Sequence, residues 1–304
     1  MRGSRKRQQR AAACAAVGHN APAMVASGSA PRRTAVHPLL TLAAFVIGYA
    51  AMMMSVGPMM VHGLRPALMT GEAVLALPAV AMVALSGLPL AEGLALRPVS
   101  ARTAALAAVA GATLWAASLG LMNLQFVVWR PPADFLDSFR RLHQILRPRN
   151  VEEGLLSVAA IAIMPALCEE TLFRGVVLPS FARAGDAVGL LGSAALFALI
   201  HIDAVGTTPV FYRLPFAFAV GLGLGALRLL TGSLLASMLA HAVLNTITFL
   251  TVFLTGAASQ AVDEPDAISG IVLFLAGGAA TAWIFRRLRG SSGGSVVDGP
   301  PGAA

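Results

Sequence analysis

Apolar runs close to 20 residues long recur along this 304-residue chain, and they constrain its fold more than any other feature. A helix of about 20 residues crosses the roughly 30 Å of hydrocarbon in a bilayer. Runs at 38–61, 73–91, 103–129, 155–182, 187–203, 211–229, 232–254 and 267–286 therefore predict about eight spanning helices. Only 12% of the residues are charged, against about a quarter in a soluble domain, which excludes a water-soluble globule of this size. No alternation of inward and outward residues marks a β-barrel. The expected fold class is all-α, a polytopic transmembrane helical bundle.

The segments between the runs complete the expected organisation. Residues 1–36 read as a disordered basic tail, with Arg2, Arg5, Lys6, Arg7 and Arg10 close together and Met24 as an alternative start. N-terminal transmembrane helices fill 37–154. Within them, 132–147 is an amphipathic helix for the membrane interface: Phe135, Phe139, Leu142 and Leu146 share one face, Asp137, Arg140, Arg141 and Gln144 another. Residues 155–255 form the candidate catalytic core, 256–289 hold the final helix, and 290–304, rich in Gly and Ser, a flexible tail. The net charge of +8 sits in the tail and at the ends of apolar runs, which suits membrane lipid and topology rather than nucleic acid. Eight helices place both termini on one side, and the tail arginines with Arg286, Arg287 and Arg289 make that side the cytoplasm. The arginines of 130–149 would then fall outside, against the rule. Cys14 and Cys168, one polar and one apolar in context, offer neither a disulfide nor a CxxC site.

A few polar residues stand inside apolar runs, where each costs several kcal/mol unless it finds a partner. Glu169, Glu170 and Arg174 lie in ALCEETLFRGVV, His201 closes LFALIHI, and His241 and Asn245 lie in MLAHAVLNTITF. Singly each has an ordinary reading: a packed histidine, an interfacial pair of acids, an ion pair, a bond between helices. Together on neighbouring spans they point to chemistry. With a turn at Gly185 and Asp186, Glu169 and His201 each lie about 24 Å along their helices, and His241 about 15 Å beyond a turn at Thr231 and Gly232. Glu170 and Arg174 are an i, i+4 pair on one face, as are His241 and Asn245. Such a set favours water activation: a carboxylate takes the proton, an imidazole holds the water or a metal, and imidazole plus amide stabilise an oxyanion. Gly221, Gly223 and Gly225 read as a face for close helix packing.

These motifs resemble those of the CAAX protease and bacteriocin-processing family, the type II CAAX endopeptidases. Glu169, Glu170 and Arg174 match its paired glutamates followed by arginine, Phe197 and His201 its Phe–His motif, and His241 and Asn245 its closing His–Asn motif. The resemblance covers about residues 155–255. It implies a bundle of about eight helices with an intramembrane catalytic cavity open to cytoplasm and membrane, in a bacterial inner or plasma membrane. It implies an endopeptidase in which Glu169 activates water with His201 while His241 and Asn245 stabilise the oxyanion. Its substrate would be a membrane-associated or lipidated protein or peptide, processed as CAAX proteins or bacteriocins are. Glu169, His201 and His241 permit a divalent metal, zinc-like site without demanding one. Two other readings stay open: a non-catalytic membrane immunity or scaffold protein, and a proton-coupled transporter using the same cluster.

Overall fold

The computed structural model describes residues 36–205, 208–255 and 264–292. The basic tail, the end of the Gly- and Ser-rich tail and Asp263 lie outside them. The chain is helical almost throughout: α1 (Pro38–Met59), α2 (Leu64–Leu85), α3 (Ala101–Val128), α4 (Ala133–Leu146), α5 (Val151–Ala184), α6 (Asp186–Leu199), α7 (Leu214–Thr231), α8 (Leu234–Phe249) and α9 (Ala267–Ser292). Among the described residues seven of these helices are long and apolar enough to cross a membrane. The expected eighth, α6, has 14 residues, about 21 Å, and falls short of the hydrocarbon thickness. Large apolar side chains such as Leu39, Met54, Leu85 and Ile268 point outward, as a lipid-facing surface requires.

Local sequence sets the helix ends. Ser100 caps α3 by accepting the Thr103 amide, and Asn150 caps α5 by accepting the Glu153 amide. The second span differs from the expected 73–91. It begins at Leu64, with Pro66 in its first turn where a proline costs no hydrogen bond, and it ends at Leu85. Arg65, Thr70 and Glu72 interrupt the apolar run without interrupting the helix.

The longest helix, α5, is not a uniform α-helix. It widens into π turns at Ala159–Ile163 and Thr171–Val177. A proline follows each, Pro165 and Pro179. Proline lacks an amide proton and its ring crowds the carbonyl four residues back, here Ile161 and Gly175. Each carbonyl falls inside a π stretch, where a wider turn relieves the crowding.

Small residues bring the helices close. A Cβ at Gly111 of α3 would overlap the Ala240 carbonyl of α8, next to His241. The helices share one apolar core that includes Phe45, Leu75, Leu172, Phe173, Phe197, Leu224, Leu227 and Leu244.

The bundle has two distinct ends. At one, Ser180 joins Thr41 and the Val36 carbonyl, and the Leu234 amide bonds the Ala95 carbonyl. At the other, Arg65 bonds Ser157 and the Leu146 carbonyl, Gln125 donates to the Tyr212 carbonyl, and a short antiparallel hairpin, β1 (Asp203–Val205) and β2 (Thr208–Val210), lies beside α4. The sequence reading runs helix through 203 and misses this hairpin. The expected amphipathic helix is α4, whose Phe135 and Leu136 pack on Phe126 and Tyr212 while Arg140, Arg141 and Ile145 stay exposed.

Candidate active site

Three of the expected residues leave the same segment of α5. Glu169 is 5% exposed, and Glu170 and Arg174 are fully buried. The π turn that starts at Thr171 carries Arg174 back over Glu170, and its Nη1 donates to Glu170 Oε1 at 2.7 Å. The other guanidinium arm donates to the Gly221 carbonyl of α7 at 3.0 Å, and the guanidinium lies 4.5 Å from the Phe197 ring centre. An arginine inside a membrane bundle needs this many partners. The glycine face expected on α7 thus also supplies a carbonyl to the site.

Glu170 in turn fixes His241. The Nδ1 of His241 lies 3.0 Å from Glu170 Oε1, the carboxylate oxygen that Arg174 holds. Its Nε2 lies 3.8 Å from Glu169 Oε2, which has no hydrogen-bond partner. Arg174, Glu170 and His241 form a hydrogen-bonded chain that ends beside Glu169, whose buried Oε2 keeps its capacity to accept a hydrogen bond.

His201 does not sit inside a helix, contrary to the expectation. The helix α6 ends at Leu199 and His201 lies in the turn that follows, before the hairpin. Its Nδ1 is 2.8 Å from the Phe197 carbonyl. A carbonyl only accepts, so Nδ1 carries the proton and Nε2 of the neutral ring is an acceptor. Phe197 links the two histidines: its ring centre is 4.8 Å from that of His201 and 5.9 Å from that of His241. Asn245 follows His241 by one turn on α8 and is half-buried.

Among the described residues no three His, Cys, Asp or Glu side chains gather closely enough to hold a metal ion. Glu169, His201 and His241 are thus not assembled as a ligand set with the side chains as they stand. The fixed Nδ1 positions do leave Nε2 atoms of the kind metals bind. Cys168 is free and buried beside Glu169.

One carboxylate of the neighbourhood was missed in the sequence. Glu72 lies inside α2, and its Oε2 is buried without a hydrogen-bond partner. Pro66 was the available signal, since a proline in a helix's first turn would have started the helix early enough to enclose Glu72.

Residues 151–247 match the family model described as type II CAAX prenyl endopeptidase, Rce1-like. The resemblance drawn from the three ordered motifs is borne out over that stretch. The comparisons with curated proteins and with solved structures find no match.

Proposed function

We propose that this integral membrane protein, whose residues 151–247 match the Rce1-like type II CAAX prenyl endopeptidases, is an endopeptidase that cleaves membrane-associated or lipidated protein by Glu169-activated water. The observation that carries the reading is the chain from Arg174 through Glu170 to His241, which leaves His241 Nε2 and Glu169 Oε2 3.8 Å apart across an unpartnered oxygen. A carboxylate oxygen left open beside an imidazole held at its other nitrogen is what a reacting water needs.

In this reading Glu169 Oε2 takes a proton from water while His201 Nε2 accepts the other O–H. The water oxygen bonds to the scissile carbonyl carbon. His241, protonated on both ring nitrogens against the Glu170 carboxylate, and the Asn245 amide donate to the oxygen of the tetrahedral intermediate. Glu169 then returns the proton to the amine nitrogen as the C–N bond breaks. Glu170 and Arg174 touch no reacting atom; they orient His241. A divalent metal such as zinc, if bound by Glu169, His201 and His241, would supply Lewis acidity to the water and carbonyl.

The test is cleavage by the purified protein in detergent, using peptides with and without a C-terminal prenylcysteine motif. Wild type is compared with Glu169→Gln and His201→Ala, each with and without a chelator. Each variant should lose about 10²–10⁴-fold in kcat with unchanged helix content. Full activity in either variant removes the assignment. Loss of wild-type activity with chelator, restored by zinc, places a metal in the mechanism. Cleavage confined to prenylated peptide identifies the substrate class.

A further inference from the structure

Arg213 is a cation at the hairpin end of the site that neither the mechanism nor the three motifs use. It stands at the base of the hairpin. Asp203 pairs with Val210 in the register of β1 and β2, so the turn holding His201, just before β1, comes close to the residues just after β2. Arg213 Nε lies 3.0 Å from Asp203 Oδ2. Asp203 follows His201 by two residues, at most about 7 Å of chain. The guanidinium is close enough for its charge to act on both His201 and Glu169. Its backbone is held on a fixed frame. Gln125 donates to the Tyr212 carbonyl, the Tyr212 ring packs on Trp129 and Phe135, and α7 starts at Leu214. The Arg213 side chain is 31% exposed, so a molecule entering from outside the bundle can reach it.

The ordinary role for such an arginine is to fasten the hairpin, and the geometry argues for more. Where an ion pair in this protein only fastens a turn, as Arg149 does on Glu153, the guanidinium donates through both Nε and Nη2. Arg213 approaches Asp203 without bonding it: its Nε and the facing Oδ2 are both buried and both lack a hydrogen-bond partner among the described residues. A guanidinium carries five donors in a planar fork that matches a carboxylate, and here Asp203 orients it while leaving that capacity unspent. The neighbourhood also calls for a cation. Glu169 and Glu170 would repel a substrate that carries a negative charge toward them, unless a positive group receives it. A chain end two or three residues beyond the scissile bond lies about 7–11 Å from it when extended, comparable with the reach from His201 to the base of the hairpin. The positive end of the α7 dipole stands at the same place. We propose that Arg213 is a specificity-determining residue that binds the C-terminal carboxylate of the substrate and so favours cleavage a few residues from a free chain end. The inference rests on the reading of Glu169 and His201 as the hydrolytic pair.

Two measurements on the full chain in detergent test it. The first uses the prenylcysteine peptide of the cleavage assay in three forms: with a free C-terminal carboxyl, with a C-terminal amide, and with an amide-capped glutamate as last residue. Wild type should cleave the free acid about 10–100-fold better than the amide in kcat/KM, through KM. In Arg213→Gln that ratio should fall to about one, and in Arg213→Lys, which keeps the charge and loses the fork, to an intermediate value. The ratio within each variant cancels any general damage, so a merely structural Arg213 would lower all three rates and leave it in place. A wild-type ratio near one, or a wild-type ratio kept in Arg213→Gln, overturns the inference. Equal cleavage of the free acid and the glutamate amide replaces the chain end by an acidic side chain and overturns it too. If Arg213→Gln fails to fold, Arg213→Lys carries the test, and an unchanged ratio there is decisive against it. The second measurement needs no turnover: calorimetric binding of the free acid and the amide to Glu169→Gln, and to the same protein with Arg213→Gln. The acid should bind more tightly by about the same factor only while Arg213 is present, and equal binding overturns the inference whatever the peptidase assay shows. An Arg213-dependent binding preference in a protein whose wild type cleaves nothing sinks the proposed function and leaves the carboxylate site standing.

Discussion

The Arg174–Glu170 pair decides how the site is oriented, and its two jobs separate experimentally. Both side chains are fully buried, 2.7 Å apart. Removing one member of a buried pair leaves the other charge uncompensated, a loss of about 3–5 kcal/mol. Arg174→Met should therefore lower the unfolding transition in detergent sharply. Arg174→Met combined with Glu170→Gln removes both charges and should recover most of that stability, because a well-packed neutral pair replaces the ions. Activity should not return, since His241 has lost the carboxylate at its Nδ1. Thermal melts and cleavage assays on the three variants check both halves; activity in the double variant would show that His241 needs no such anchor. The sequence disclosed this pair through its i, i+4 spacing. It could not disclose the Gly221 carbonyl that takes the second guanidinium arm, because that contact joins helices 47 residues apart.

Spacing of polar residues was legible because it is local, whereas element boundaries followed packing. Glu72 shows the difference: hydropathy broke at Arg65 and Thr70, and the helix ran on, since Arg65 is satisfied by Ser157 and the Leu146 carbonyl. Which partner a small residue meets is likewise invisible in one sequence, even where a glycine face signals close packing. Gly111→Val should push α3 from the Ala240 carbonyl and shift the neighbouring His241 by enough to lower kcat about 100-fold. Circular dichroism should be unchanged; wild-type turnover in this variant would mean that α3 does not position α8. The hairpin offers a second element-scale expectation. Burial pushes the Asp203 carboxyl above the usual aspartate range, and Arg213, 3.0 Å away, pulls it partly back. An acid whose folded value is raised stabilises the closed hairpin below its unfolded value, about 3.9, and that contribution is lost as pH rises through the raised folded value. Protection of the Thr208 and Val210 amides against hydrogen exchange, corrected for intrinsic rates, should fall over that window. Asp203→Asn should flatten the dependence. Protection that rises with pH would mean that the Arg213 pair outweighs the burial.

At the scale of the whole molecule, two expectations drawn from the sequence exclude each other. Val36 lies at the bundle end that holds Ser180 and the α7–α8 turn. The last helix returns there too, since Gly270 packs near Gly120 and Gly277 near Thr113, running antiparallel to α3 toward Arg286, Arg287 and Arg289. His201 and the hairpin lie toward the opposite end, because α6 starts at Asp186 and leads away from it. If the basic termini face the cytoplasm, the hairpin side of the site faces out; if the site opens to the cytoplasm, the termini do not. The basic tail leads into α1, and Lys and Arg near the ends of spans govern insertion, so the termini are expected inside and the hairpin on the outer side. Single cysteines at Thr208 and Gly185, in a Cys14→Ser and Cys168→Ser background, should react with a membrane-impermeant maleimide from opposite sides of intact cells or inverted vesicles. Labelling of Thr208→Cys in intact cells and of Gly185→Cys in inverted vesicles would give the site an outer opening and a substrate that reaches it from that side. The reverse pattern would turn the site to the cytoplasm and make the amphipathic helix α4, beside the hairpin, the part that meets cytoplasmic lipidated protein first.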